Sequence, residues 1–93
     1  NKLGQALGTG NTVVLKPAPN TPFNATRLGR LIAEKTDIPA GVVNVVTASD
    51  HFVGEELTLS PKVDLISFTG STVVGKRIME KGAATMKRLF LEL

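Results

Sequence analysis

Hydrophobic positions in this chain gather into four short runs about 20 to 30 residues apart: Thr12-Val13-Val14-Leu15-Lys16, Val42-Val43-Asn44-Val45-Val46, Val63 to Phe68 and Arg88 to Leu93. The first two runs are rich in valine and largely continuous rather than alternating, the pattern of parallel strands buried on both faces. Between them the apolar spacing changes to that of helices. Leu3, Ala6 and Leu7 read as the tail of a helix that stops at Gly8-Thr9-Gly10-Asn11. Thr21-Pro22 offers a cap and a first helical proline for a helix reaching about Lys35, with Ala25, Leu28, Leu31 and Ile32 on one face. His51 to Ser60 predicts a weaker helix with Val53 and Leu57 inward, closed by Pro61, and Thr72 to about Ala84 predicts another that buries Val74, Gly75, Ile78 and Gly82. A strand, a helix and another strand repeated in this rhythm give an α/β fold: an open parallel sheet with helices on both faces, Rossmann-like, with right-handed crossovers.

The other segments turn on Leu65 to Arg77, where a strand stops at Thr69-Gly70 and the chain re-emerges as a helix near Ser71 or Thr72. Gly70 lets the chain turn and a ligand approach the backbone. The helix start then presents unpaired N–H groups whose dipole favours an anion. Two other readings fit the same letters. Glycine followed by serine or threonine also caps a helix with no ligand at all. Gly70, Gly75 and Lys76 further satisfy G-x-x-x-x-G-K-[ST] up to its last place, where Arg77 stands instead of a magnesium-binding hydroxyl, so a phosphate- or nucleotide-binding P-loop remains an alternative. Gly8 and Gly10 do not make a dinucleotide fingerprint, because Val13 occupies the third glycine place and no strand precedes them.

An open α/β sheet binds ligands beyond the carboxyl ends of its strands. Lys16, Gly70-Ser71 and Glu92 all fall there and are predicted to converge on one rim, with Glu92, between Leu91 and Leu93, partly desolvated as suits a general base. Composition narrows the rest. With 93 residues the chain is at most one small domain, burying roughly 60 to 65% of its unfolded surface. It has no cysteine, which removes disulfides, thiolate metal sites and a cysteine nucleophile, and no metal site is predicted. The net charge of +3 is scattered, without Tyr or Trp for base stacking, which argues against nucleic acid. No apolar run could span a membrane and no signal peptide is visible, so a cytoplasmic location is expected. His51 is expected at the surface, and Met79 and Met86 in packing.

Taken together, Gly10-Asn11, Val13 to Ala18, Thr21-Pro22, Ile38 to Val46, Phe68 to Thr72 and Leu91-Glu92-Leu93 resemble, in order and over essentially all of residues 1–93, the cofactor-binding domain of the NAD(P)-dependent aldehyde dehydrogenase superfamily. Under that resemblance the P-loop reading falls. It implies that Lys16 would hydrogen-bond the adenosine ribose of NAD or NADP, that Gly70, Ser71 and the helix start at Thr72 would meet the pyrophosphate, and that Val74 would line the adenine cleft. Glu92 would be the general base that activates the deacylating water. The family's chemistry is covalent, through a cysteine thiohemiacetal and a thioester, and converts an aldehyde into a carboxylate.

Two departures from the family pattern matter. Pro19 stands where many NAD-preferring members carry a glutamate on the ribose hydroxyls, which opens the site to NADP. The nucleophilic cysteine is missing, so residues 1–93 are expected to be a part of a dinucleotide-binding domain, inactive alone and needing the remainder of the parent chain; the parent would be a homo-oligomer, dimer or tetramer. Nothing in the sequence identifies the aldehyde.

Overall fold

The computed structural model describes residues 2–93, which form two units, one ending at His51 and the other spanning Phe52–Leu93. Each is a helix-backed pair of parallel strands.

In the first unit, helix α1 (Lys2–Gly8) turns its half-buried Leu3, Ala6 and Leu7 inward. Its last carbonyls are used up locally: Asn11 Nδ2 donates to Ala6 O at 3.0 Å and Thr9 Oγ1 to Gln5 O at 2.9 Å, while Gly10 takes φ 81°, the left-handed conformation that ends a helix without a Cβ penalty. Strand β1 (Val13–Leu15) pairs in parallel with β2 (Val43–Val45), Val13 opposite Val43 and Leu15 opposite Val45. Asn44 adds a side-chain tie, donating to Gly41 O at 2.9 Å and Val13 O at 3.3 Å.

Helix α2 (Phe23–Lys35) connects these strands. Thr21 does not cap it. The cap position is Pro22, and the Thr21 amide is spent on a turn to Ala18 O at 3.1 Å, which shifts the helix start to Phe23. The inward face also differs from the expected one: Ala25, Gly29 and Ile32 are half-buried, whereas Leu28 and Leu31 are 39% and 45% exposed. Gly29 sets this face, since a Cβ there would lie 2.8 Å from Val45 Cγ2. The helix approaches β2 through its missing side chain.

In the second unit, α3 (Phe52–Leu59) half-buries Val53 and Leu57 and buries Thr58, whose hydroxyl donates back to Gly54 O at 2.8 Å. Strand β3 (Leu65–Thr69) pairs in parallel with β4 (Arg88–Glu92), from Leu65 opposite Arg88 to Thr69 opposite Glu92. Helix α4 (Thr72–Gly82) joins them and buries Gly75, Ile78 and Gly82. Val74, expected inside, is 41% exposed. Beyond α4 a single 3-10 turn, Ala83–Thr85, leads to Met86 in the left-handed region, φ 54°, and then to the buried Lys87.

The parallel β-α-β rhythm is therefore present twice, and the strands pair two by two rather than in one four-stranded ladder among the described residues. Their continuous apolar runs are covered on one face only. In β3 and β4 every second residue is half-buried and the alternate ones, including Leu65 and Phe90, are exposed at 43% and 63%. No helix among the described residues is long and apolar enough to cross a membrane.

Candidate functional site

The carboxyl end of the β3–β4 pair is where the chain gathers its chemistry. Phe68 is half-buried beneath the turn, and its ring occupies the space a side chain at position 70 would need: a Cβ on Gly70 would sit 2.4 Å from Phe68 Cζ. Glycine is thus required for the strand to turn directly into α4. Ser71 caps the helix with an extended backbone, its Oγ accepting from Val74 N at 3.3 Å and its carbonyl from Gly75 N at 3.0 Å. The amides of Thr72 and Val73, the next donors at the helix start, have no partner among the described residues. They point out of the first turn together with the positive end of the helix dipole. Val73 and Val74 are 78% and 41% exposed beside it. The arrangement offers N–H donors and a hydroxyl to an anion, and an apolar flank to a flat group.

Glu92 reaches the same end through register. It stands opposite Thr69, its carbonyl accepts from Gly70 N at 3.1 Å, and its Oε2 accepts from Thr69 Oγ1 at 2.9 Å. The alternation of the strand places Glu92 on the exposed face with Arg88 and Phe90, opposite the half-buried Leu89 and Leu91. The apolar slot expected around its carboxylate is not supplied by the described residues. So Gly70, Ser71, Thr72, Val74 and Glu92 are brought together.

Lys16 and Pro19 lie in the first unit. Lys16 follows β1 directly, beside the end of β2, where Val46 N donates to Leu15 O at 3.0 Å. The lysine is half-buried and spends one of its three N–H donors on Pro17 O at 2.9 Å, leaving two for a ligand. Pro17 and Pro19, both half-buried, stiffen the turn that carries it. His51 is exposed, as expected, but so are Met79 and Met86, at 54% and 90%.

The P-loop alternative is excluded by the backbone. A P-loop needs an open loop between its two glycines so that successive amides can cradle phosphates, and here α4 begins at Thr72, making Gly75 and Lys76 interior helical residues. Arg77, in the place of the metal-binding hydroxyl, forms an ion pair with Glu55. Among the described residues no group of acidic, histidine or cysteine side chains could hold a metal ion. A shallow groove is lined by Phe23, Arg27, Leu31 and other residues of α2, and none of the candidate site residues lines it.

Sequence reasoning missed Thr69 and Lys87. Only the strand register reveals Thr69 as the partner of Glu92, and a lysine in a basic chain carries no mark of burial.

The chain resembles known proteins over nearly its whole length. The family model described as the aldehyde dehydrogenase family matches residues 1–93. The chain is 52% identical over 92 residues to the succinate-semialdehyde dehydrogenase [NADP(+)] GabD of Escherichia coli (strain K12), covering 99% of this chain and 19% of that protein. It is 50% identical over 92 residues to a glutarate-semialdehyde dehydrogenase of Pseudomonas putida, with 99% and 19% covered. The crystal structure of PnpE, a protein of Pseudomonas sp. WBC-3, in complex with nicotinamide adenine dinucleotide superposes with a TM-score of 0.93 at 44% identity, over 99% of this chain and 19% of that one. The chain thus spans about a fifth of the length of the relatives it matches.

Proposed function

Since this chain belongs to the aldehyde dehydrogenase family, we propose that it is the part of an NAD(P)-dependent aldehyde dehydrogenase that holds the dinucleotide and supplies the base for hydrolysis. The observation that carries this reading is the turn from β3 into α4, where Gly70, the Ser71 hydroxyl and the free amides of Thr72 and Val73 face one another's ligand space with Glu92 in register beside them. In this assignment Ser71 and the helix start bind the pyrophosphate, Val74 flanks the adenine, and Lys16 donates to hydroxyls of the adenosine ribose. When bound, the dinucleotide accepts the hydride of the aldehyde carbon.

Glu92 acts after that step. Its carboxylate takes a proton from water, the water oxygen bonds to the acyl carbon of a thioester, and the carbon–sulfur bond breaks with its electrons going to sulfur. The cysteine that carries the acyl group is not among residues 1–93, which contain none. In sum, one aldehyde, one oxidised dinucleotide and one water give a carboxylate, the reduced dinucleotide and two protons.

Pro19 contributes by what it lacks. A proline neither accepts from the ribose hydroxyls nor repels a 2′-phosphate, and the two spare donors of Lys16 suit that phosphate, so both NAD and NADP fit. Relatives named for NADP(+) support this. Dimers or tetramers of the full-length protein belong to the same reading and rest on the family resemblance; light scattering of a monomer would remove them.

The test is formation of reduced dinucleotide at 340 nm by the full-length protein with succinate semialdehyde, glutarate semialdehyde and simple aliphatic aldehydes. We expect turnover with at least one aldehyde and either dinucleotide. A protein that binds neither dinucleotide and oxidises none of the aldehydes contradicts the proposal.

A further inference from the structure

The last pair of the β3–β4 ladder is held twice. Gly70 N donates to the Glu92 carbonyl at 3.1 Å, and Thr69 Oγ1 donates to Glu92 Oε2 at 2.9 Å. Thr69 and Glu92 occupy directly opposed positions on the exposed face, so their Cβ atoms are neighbours by register and the contact is part of the ladder. An exposed glutamate at a strand end otherwise samples many rotamers, because nothing around it fixes its three side-chain torsions. Threonine is β-branched and restricted at χ1, which makes its hydroxyl a stiff donor. The bond occupies one carboxylate oxygen, Oε2, and leaves Oε1 to accept from elsewhere.

We infer that Thr69 is a positioning residue for the reaction: its hydroxyl holds the Glu92 carboxylate by Oε2 so that Oε1 faces the water to be deprotonated. This rests on the reading of Glu92 as the general base. In the step concerned, a water proton passes to Oε1, the oxygen left behind bonds to the thioester carbon, and the thiol sulfur departs with the electron pair. Thr69 touches none of the reacting atoms. It limits the search of the base for the water.

The experiment uses the full-length protein and 4-nitrophenyl acetate, which acetylates the nucleophilic thiol without any hydride transfer. The burst of 4-nitrophenolate then reports acylation, and the steady rate reports hydrolysis of the acetyl-enzyme. Thr69→Val keeps the shape and removes the hydroxyl, whereas Thr69→Ser keeps the hydroxyl. We expect Thr69→Val to retain the wild-type burst and to hydrolyse the acetyl-enzyme about tenfold more slowly, the size of one lost hydrogen bond to a charged group, while Thr69→Ser stays within about twofold. Glu92→Gln should slow hydrolysis about a hundredfold or more, the range of general-base catalysis. A merely structural threonine would not separate burst from steady rate. Should Thr69→Val fail to fold, Thr69→Ala is measured in its place. Wild-type hydrolysis in the hydroxyl-free variant alongside a defective Glu92→Gln overturns the role of Thr69 and leaves the base standing. Wild-type hydrolysis in Glu92→Gln overturns the base and the inference with it.

Discussion

Lys87 is the least expected residue in the chain. It is buried at 9% exposure and, in place of a carboxylate, its ammonium is satisfied by two backbone carbonyls, Ser60 O just beyond the end of α3 and Val63 O at 2.7 Å. A cation at the carboxyl end of a helix meets its negative dipole end, so the placement is favourable as well as satisfied. The same side chain ties the α3–β3 turn to the start of β4. Replacing Lys87 by Met would take this donor from both carbonyls, leaving Ser60 O only the amide of Val63, at 3.2 Å, and Val63 O without a protein donor among those described. We expect the full-length variant to lose about 1 to 3 kcal/mol of stability, read as a lowered thermal midpoint, with Lys87→Arg losing less; a Met variant as stable as the wild type would contradict this account. Nothing local announces such a residue. Lys87 sits in Met86-Lys87-Arg88, a stretch that reads as a solvated basic segment, and only the left-handed backbone at Met86 aims it inward. Thr69 was equally hidden, for its role depends on which residue of β4 stands opposite. Ser71, Gly70 and Lys16 were legible because their chemistry follows from local chain order: a strand end, a turn, a helix start.

At the scale of elements, glycines decided what periodicity could not. The spacing of Leu28, Leu31 and Ile32 suggests a leucine-rich inner face for α2, yet the helix lies so close to β2 that only Gly29 fits at the contact, and the two leucines turn outward. A glycine in a helix costs about 1 kcal/mol relative to alanine, so propensity alone says that Gly29→Ala should stabilise. Geometry says the reverse. The added methyl would stand 2.8 Å from Val45 Cγ2, on a β-branched side chain that is stiff at χ1, and overpacking of this kind costs about 1 to 3 kcal/mol. We predict a net loss of stability for Gly29→Ala in thermal or chemical denaturation; a gain would mean that the helix can back away from β2. Element order, type and approximate bounds were readable because continuous β-branched runs and 3.6-residue spacing are local signals. The cap of α2 was not, since Thr21 and Pro22 satisfy the pattern in two registers and a turn to Ala18 selects the later one.

For the molecule as a whole, the sequence described strands buried on both faces, and each pair of strands is covered on one. Phe23, Phe52, Phe90 and Val73 stand 83%, 72%, 63% and 78% exposed in a chain that spans 19% of relatives such as the succinate-semialdehyde dehydrogenase of Escherichia coli. In β3 and β4 half-buried and exposed positions alternate. The family and the parallel β-α-β plan were legible all the same, because several short motifs occur in order along the chain, whereas the P-loop spelling at 70–76 was a coincidence that the start of α4 at Thr72 dissolves. The central claim is that strand ends of this chain hold a dinucleotide, with Lys16 on its ribose. Calorimetric titration of the full-length protein and its Lys16→Ala variant with NADP and with NAD tests it most directly. The account predicts binding of both by the wild type and, in the variant, a loss of about tenfold or more that is larger for NADP, whose 2′-phosphate gives up a charge-assisted bond. Equal affinities in wild type and variant would contradict it.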